Sequence, residues 1–326
     1  MRYILIVFIF LFFNNNNTNG QGCCSGSSGN PMAGGLSTGV LQEKQIEIST
    51  NYQYTFSEKF FAGKNDTTNL FDNLNSNYLF LRTEYGLTKK LTLSLSAGYY
   101  LNKSQIGGIK PNSSSGFGDL IVFPRFNIYN KDMPFSRVEA TIGVGLKIPV
   151  GTHRDSSLII PAIDYWEINP PITQLSSGSY DLLLYSFFLK DFKLNKLKFF
   201  SSIFHIKKGY NSLEQKMGNY TSIALNASRM INKNINITTQ IKGENITKMI
   251  AGNVWNKDEL EFSSGSKKLF FTPLISYRYE NLGVFISYEL PIYQNINGVQ
   301  IGSQNKITIG INYSFKENKE KTSEIY

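Results

Sequence analysis

Apolar and polar residues alternate with a period of two along most of this chain. In one stretch Leu91, Leu93, Leu95, Ala97, Tyr99 and Leu101 interleave with Thr92, Ser94, Ser96, Gly98 and Tyr100. In another, Val138, Ala140, Ile142, Val144, Leu146 and Ile148 interleave with Glu139, Thr141, Gly143, Gly145 and Lys147. Near the end, Ile307, Ile309, Ile311, Tyr313 and Phe315 do the same with Thr308, Gly310, Asn312 and Ser314. Successive side chains of a strand point to opposite faces, so this is a strand signal, and helical spacing accounts for none of it. The pattern predicts about twelve strands. They fall near 44–56, 76–86, 90–102, 117–130, 135–150, 178–190, 195–208, 219–231, 235–243, 268–279, 282–293 and 304–315. Such lengths suit tilted strands that cross a membrane.

The connections are as informative as the strands. After the first strand they alternate between long and short. Long ones lie near 57–75, 103–116, 151–177, 209–218, 244–267 and 294–303, and short ones near 87–89, 131–134, 191–194, 232–234 and 280–281. Outer-membrane barrels have short periplasmic turns and long outer loops, and an even strand count puts both termini in the periplasm. A soluble sandwich would bury its apolar face and use shorter strands. In lipid that face points outward, and Tyr52, Tyr54, Tyr277, Tyr279, Tyr313 and Phe315 at strand ends fit aromatic girdles. The expected fold is all-β: a single antiparallel transmembrane β-barrel over 44–315, with ten or fourteen strands as alternative counts.

The ends read differently. Met1-Arg2-Tyr3, an apolar run over 4–13 and a polar stretch over 14–19 make a secretory signal over 1–20, cleaved after Gly20. Cleavage before Cys23 would instead leave a lipid-modified cysteine, although Gly20 stands where a Leu-like residue is usual. Residues 21–43 are rich in Gly and Ser and form a flexible segment or a lumen plug, with Cys23, Cys24, Pro31 and Met32 as plug candidates. Residues 316–326 are a polar C-terminal tail. This layout implies the outer membrane of a Gram-negative bacterium. The expected partners are outer-membrane lipid and lipopolysaccharide, the barrel-assembly machinery and a small hydrophobic solute.

Composition narrows the chemistry. With 17% charged residues and a mean hydropathy of −0.21, the chain is neither a disordered tail nor a polytopic helical membrane protein. The net charge of +9 is scattered, so no nucleic-acid patch forms. Cys23 and Cys24 are the only cysteines and His153 and His205 the only histidines, which excludes a disulfide framework and a multi-histidine metal centre. No cofactor and no enzyme activity are expected. A barrel hydrolase, the least favoured class, would require His153 or His205 within hydrogen-bond reach of a serine.

Charged residues on inward faces mark the lumen. The candidates are Glu47, Arg82, Glu84, Asp119, Arg125, Glu139 and Lys147, with Lys198, Lys242, Arg278 and Glu289 beside them. Both signs occur, which favours cross-strand pairing over an ion-selective field. Residues 182–189 are apolar on both faces except Ser186, so Phe188 or Leu183, depending on register, makes part of the lumen greasy.

Several short motifs carry a resemblance. They are Ser115-Gly116-Phe117-Gly118-Asp119-Leu120 with Pro124-Arg125-Phe126, then Gly145-Leu146-Lys147-Ile148-Pro149-Val150-Gly151, then Ser177-Gly178-Ser179-Tyr180-Asp181, and Asn297-Gly298-Val299-Gln300. Together, over about 40–315, they resemble the outer-membrane barrels named after the meta-pathway of phenol degradation. That family is distantly similar to the long-chain fatty-acid channels. The resemblance implies passive uptake of small hydrophobic or aromatic solutes, with Asp119 and Asp181 starting strands at the lumen mouth. By analogy with the fatty-acid channels, 21–43 would plug the lumen. Asn-rich loops and low charge depart from the family, and the Cys-Cys-Ser-Gly leader resembles leaders of Bacteroidetes surface proteins. A structural or adhesive surface barrel, with functional outer loops, is the second reading; a closed lumen with tightly paired charges would favour it.

Overall fold

The computed structural model describes residues 39–107, 112–253 and 257–315. Twelve long strands follow one another in chain order, each pairing antiparallel with the next. They are β1 (Ile46–Ser57), β2 (Asn73–Gly86), β3 (Leu91–Ile106), β4 (Leu120–Asp132), β5 (Ser136–Ile148) and β6 (Asp181–Phe192). The second half is β7 (Leu197–Lys207), β8 (Tyr220–Met230), β9 (Ile235–Ile246), β10 (Ser266–Tyr279), β11 (Leu282–Ile301) and β12 (Asn305–Phe315). β12 returns to β1, with Ile46 opposite Phe315 and Phe56 opposite Asn305, so the sheet closes. Closure satisfies the backbone polar groups that an open sheet would leave bare in lipid.

Short turns gather at one end and long loops at the other. Local hydrogen bonds set the turns. The Asn232 side chain accepts the Asn234 and Ile235 amides at 2.9 and 2.7 Å, and Thr88 Oγ1 accepts the Lys90 and Leu91 amides.

The two faces have the inverse of a soluble protein's polarity. Leu95 is 49% exposed and Val144 52%, while Thr92 and Ser94 on the opposite face are 0% and 1% exposed. Small residues let the inner face close up. A Cβ on Gly145 would lie 2.4 Å from the Phe123 ring, so only glycine lets that ring pack across the strand.

The long loops carry more structure than the alternation predicted. β11 runs on through 294–301, where a loop was expected, because its outer part pairs with Phe60–Gly63, which pairs in turn with Asn65–Thr67. Asn112–Phe117 folds back on β3, Ser156–Ile160 pairs with Tyr165–Ile168, and a short helix spans Lys257–Phe262. Residues 172–177 turn into the barrel mouth. Ile172 packs with Phe60, Leu74 and Ile301, and Leu175 with Tyr78, Phe80 and Tyr100.

Candidate functional site

The lumen is chemically divided. On β1, β3 and β12 the inward residues are small and polar, among them Ser49, Asn51, Ser94, Ser96, Thr308 and Asn312, all buried. β4, β6 and β7 also carry inward apolar residues, beside Arg125, Asn127 and Asp181. Phe123 meets Tyr185 and Phe204 edge-on at 5.7 and 6.3 Å, Phe204 meets Tyr220 at 6.4 Å, and Phe187 meets Phe200 at 6.1 Å. Ile121, Leu183, Ile206 and Ile246 join this cluster, and Leu189 and Phe200 extend it toward the short-turn end.

The inward charges are paired. Near the short-turn end, Arg125 Nη2 lies 2.5 Å from Glu84 Oε1, Arg82 Nε lies 3.6 Å from the same oxygen, and Ser94 donates to it at 2.7 Å. Glu139 takes Arg137 at 2.6 Å and also accepts the Val40 amide at 3.3 Å. The Leu41 amide donates to Thr92 Oγ1 at 2.8 Å, so the chain just before β1 lies against inward side chains. Glu47 accepts from Ser314 at 2.9 Å. Across the barrel, Lys242 bridges Glu244 and Glu289 at 2.7 and 2.6 Å.

A second charged group lies below the inward segment. Lys147 Nζ contacts Asp119, reaches Asp181 at 2.9 Å and donates to Ser177 Oγ at 2.7 Å. Lys208 Nζ approaches the same Asp181 oxygen at 2.9 Å. Asp181 also accepts the Ser179 hydroxyl and the Gly209 amide, while Ser176 donates to Asp119. Both aspartates therefore cap nearby loops as well as pairing with lysine. Burial pulls the Lys208 ammonium below the usual lysine range, and Lys147 beside it adds to this against the opposing pull of Asp181. Lys103 Nζ donates to the Gln174 carbonyl at 2.6 Å.

These groups surround a cavity of about 150 Å³ at the outer end of the lumen. Its floor and sides are Tyr78, Tyr100, Ile121, Ile206 and Tyr220; its charged rim is Lys103, Asp119, Lys147 and Lys208; its roof is Ile172 and 174–177. Ile121, Ile206, Tyr220 and Ile246 belong both to the cavity lining and to the apolar wall, so the two are continuous.

Of the sequence candidates, Glu47, Arg82, Glu84, Asp119, Arg125, Glu139, Lys147 and Asp181 do lie on the inner side, in two separate groups. Phe188 does not. It is 47% exposed on the outer face, and Leu183, Tyr185 and Phe187 point inward instead. The register is fixed by Leu183 opposite Gly145, which leaves Phe188 with the lipid-facing parity. Lys198 and Arg278 are exposed near the short-turn rim rather than inside. Cys23, Cys24, Pro31 and Met32, the signal over 1–20 and the tail over 316–326 lie outside the described residues. Sequence reading missed Lys103, Lys208 and the inward segment, since Thr173-Gln174-Leu175-Ser176-Ser177 looks like ordinary loop.

The histidine test gives a mixed result. His153 Nε2 lies 2.9 Å from Ser212 Oγ, in the outer loops. Arg154 also donates to Ser212 Oγ at 2.9 Å. Among the described residues no carboxylate orients His153. His205 pairs with Thr221 at 2.8 Å on the outer face.

The fold is that of outer-membrane β-barrel channels. The COG4313 outer membrane channel from Pseudomonas putida F1 matches with 14% identity and a TM-score of 0.63, over 86% of this chain and 99% of that one. The KdgM porin matches with 10% identity and a TM-score of 0.42, over 82% and 99%. The beta domain of the Bordetella autotransporter BrkA matches with 8% identity and a TM-score of 0.46, over 84% and 100%. No protein-family model and no curated protein matches the chain.

Proposed function

We propose that this chain is an outer-membrane channel for passive uptake of small hydrophobic or aromatic solutes, working without chemistry or cofactor. The apolar inner wall carries the reading. It runs from the outer cavity to Leu189 and Phe200 near the short-turn end, in a lumen whose other inward residues are mostly polar, with Phe80, Phe270 and Phe285 set apart from it. Solute would be captured by the long outer loops, pass the inward segment 172–177, follow the rings of β4, β6 and β7, and leave past residues 21–43. The contacts of Val40 and Leu41 with Glu139 and Thr92 support a plug that enters from the short-turn end. The resemblance to the meta-pathway phenol-degradation barrels supports the same solute class, and with it a Gram-negative outer membrane.

One observation favours a second reading. The inward side chains are nearly all buried and the charges closely paired, as a structural or adhesive barrel with functional loops would have them. Uptake of labelled naphthalene by intact Gram-negative cells separates the two. Faster entry in cells producing the chain, with sucrose entry unchanged, supports the channel. Unchanged naphthalene entry, and silence in planar bilayers with and without residues 21–43, supports the structural barrel.

A further inference from the structure

We propose that the short-turn rim of β6, β7 and β8 is a binding site for an anionic phospholipid of the periplasmic leaflet, with its phosphate between Lys190 and Arg229 and an acyl chain along Phe199. Strand register places the parts. Lys190 follows the exposed Leu182, Leu184 and Phe188 on the outward parity of β6, and Arg229 follows the exposed Leu225 on that of β8. Between them on β7, Phe199 stands opposite Lys190 and Leu197 opposite Arg229. Neighbouring strands lie about 4.8 Å apart, so the two cations leave one lipid-facing patch about 10 Å from each other, and side chains of their length can meet on one phosphate. The patch is built around rings. Phe192 meets Phe199 edge-on at 6.1 Å, and the Lys190 ammonium lies 5.1 Å from the centre of the Phe192 ring.

Charge and surroundings choose the ligand. Among the described residues no carboxylate pairs with Lys190 or Arg229. The acids of the adjoining turns are taken elsewhere, Asp191 by Lys198 at 3.5 Å and Asp132 by Lys193 at 2.5 Å. Lys196 and Lys233 add positive charge just below, on turns joined by the Met230 amide, which donates to the Lys196 carbonyl at 3.0 Å. Directly above lie the exposed Phe199 and Leu225. A ligand that meets both levels carries an anion at one end and an apolar chain at the other, as a phospholipid does. A zwitterionic headgroup brings an ammonium against the same two cations, so an anionic headgroup is preferred. Short turns are periplasmic, which sets the leaflet. The site is also local. Within β12, β1 and β2, across the barrel, no lysine or arginine faces lipid, and the same level there holds Ile46, Tyr85 and Phe315. The inference needs the barrel in a bilayer and is independent of what passes through its lumen.

The test is native mass spectrometry of the folded full chain, released from detergent that holds equal amounts of phosphatidylglycerol and phosphatidylcholine. Each cation near an anionic headgroup is worth about fivefold, so the unaltered chain should retain phosphatidylglycerol over phosphatidylcholine by roughly 25-fold. K190Q combined with R229Q should bring the two lipids to near parity. K89Q combined with K90Q, the same charge change on the turn between β2 and β3, should leave the preference in place. The comparison of the two lipids on the unaltered chain needs no variant to fold, and the shift of the heat-modifiable band shows that each variant has folded. No preference in the unaltered chain overturns the proposal, as does a preference that K190Q with R229Q leaves intact. Equal loss in the two double variants overturns it too, because net positive charge alone would then be attracting the lipid.

Discussion

Lys103 and Gln174 join the barrel wall to the segment that closes its mouth: the ammonium on β3 donates to the Gln174 carbonyl at 2.6 Å. Gln174 also binds its own loop, its side-chain amide donating to the Asp155 and Asn169 carbonyls and its Oε1 accepting the Asp155 amide. The next residue, Leu175, seats its side chain among Tyr78, Phe80 and Tyr100. One charged latch and one apolar knob therefore hold the segment inward.

Loosening either should open the mouth. Leu175→Ala removes a buried side chain at a cost of roughly 2–4 kcal/mol, and Lys103→Met removes a charged donor at a cost of roughly 1.5–3 kcal/mol. Both variants should show bursts of conductance in planar bilayers more often than the unaltered chain. If their traces match those of the unaltered chain, the segment is not what obstructs the lumen.

Glu84 stands between Arg82 and Arg125 with all three side chains almost fully buried. Glu84→Gln leaves two guanidinium groups without the carboxylate between them, which should cost roughly 3–5 kcal/mol. Arg137→Gln breaks a pair whose arginine is 37% exposed and should cost about 1 kcal/mol or less. Urea unfolding in detergent, followed by the shift of the heat-modifiable band, compares them. Equal midpoints would show that the buried triad contributes no more than a surface pair.

The strands and their closure were readable because lipid enforces a strict rule: every second residue of a crossing strand must be apolar. Val144, Leu146 and Ile309 obey it, and so the twelve predicted spans lie within a few residues of those observed for most strands. The inner face obeys no such rule. Polar charges such as Glu84 and Arg125 announce themselves there, but an inward aromatic looks like an outward one, which is why Phe188 was assigned to the wrong face. The inward segment was hidden for a different reason. Its place depends on contacts about 70 residues apart, Lys103 with Gln174, that no local pattern encodes. Lys208 closes the predicted span 195–208 on the inward parity of Phe204 and Ile206, but nothing local sets it apart from its outward neighbour Lys207.

The outer face gives a direct test of where the barrel resides. Val144 is 52% exposed in the middle of β5. An arginine there would be nearly neutral on a water-soluble barrel. At the midplane of a bilayer it should cost roughly 2–4 kcal/mol. Val144→Arg refolded into lipid vesicles should unfold at a clearly lower urea concentration, with Leu225→Arg on β8, three strands further round the barrel, behaving alike. Unshifted midpoints for both would remove the membrane from the account.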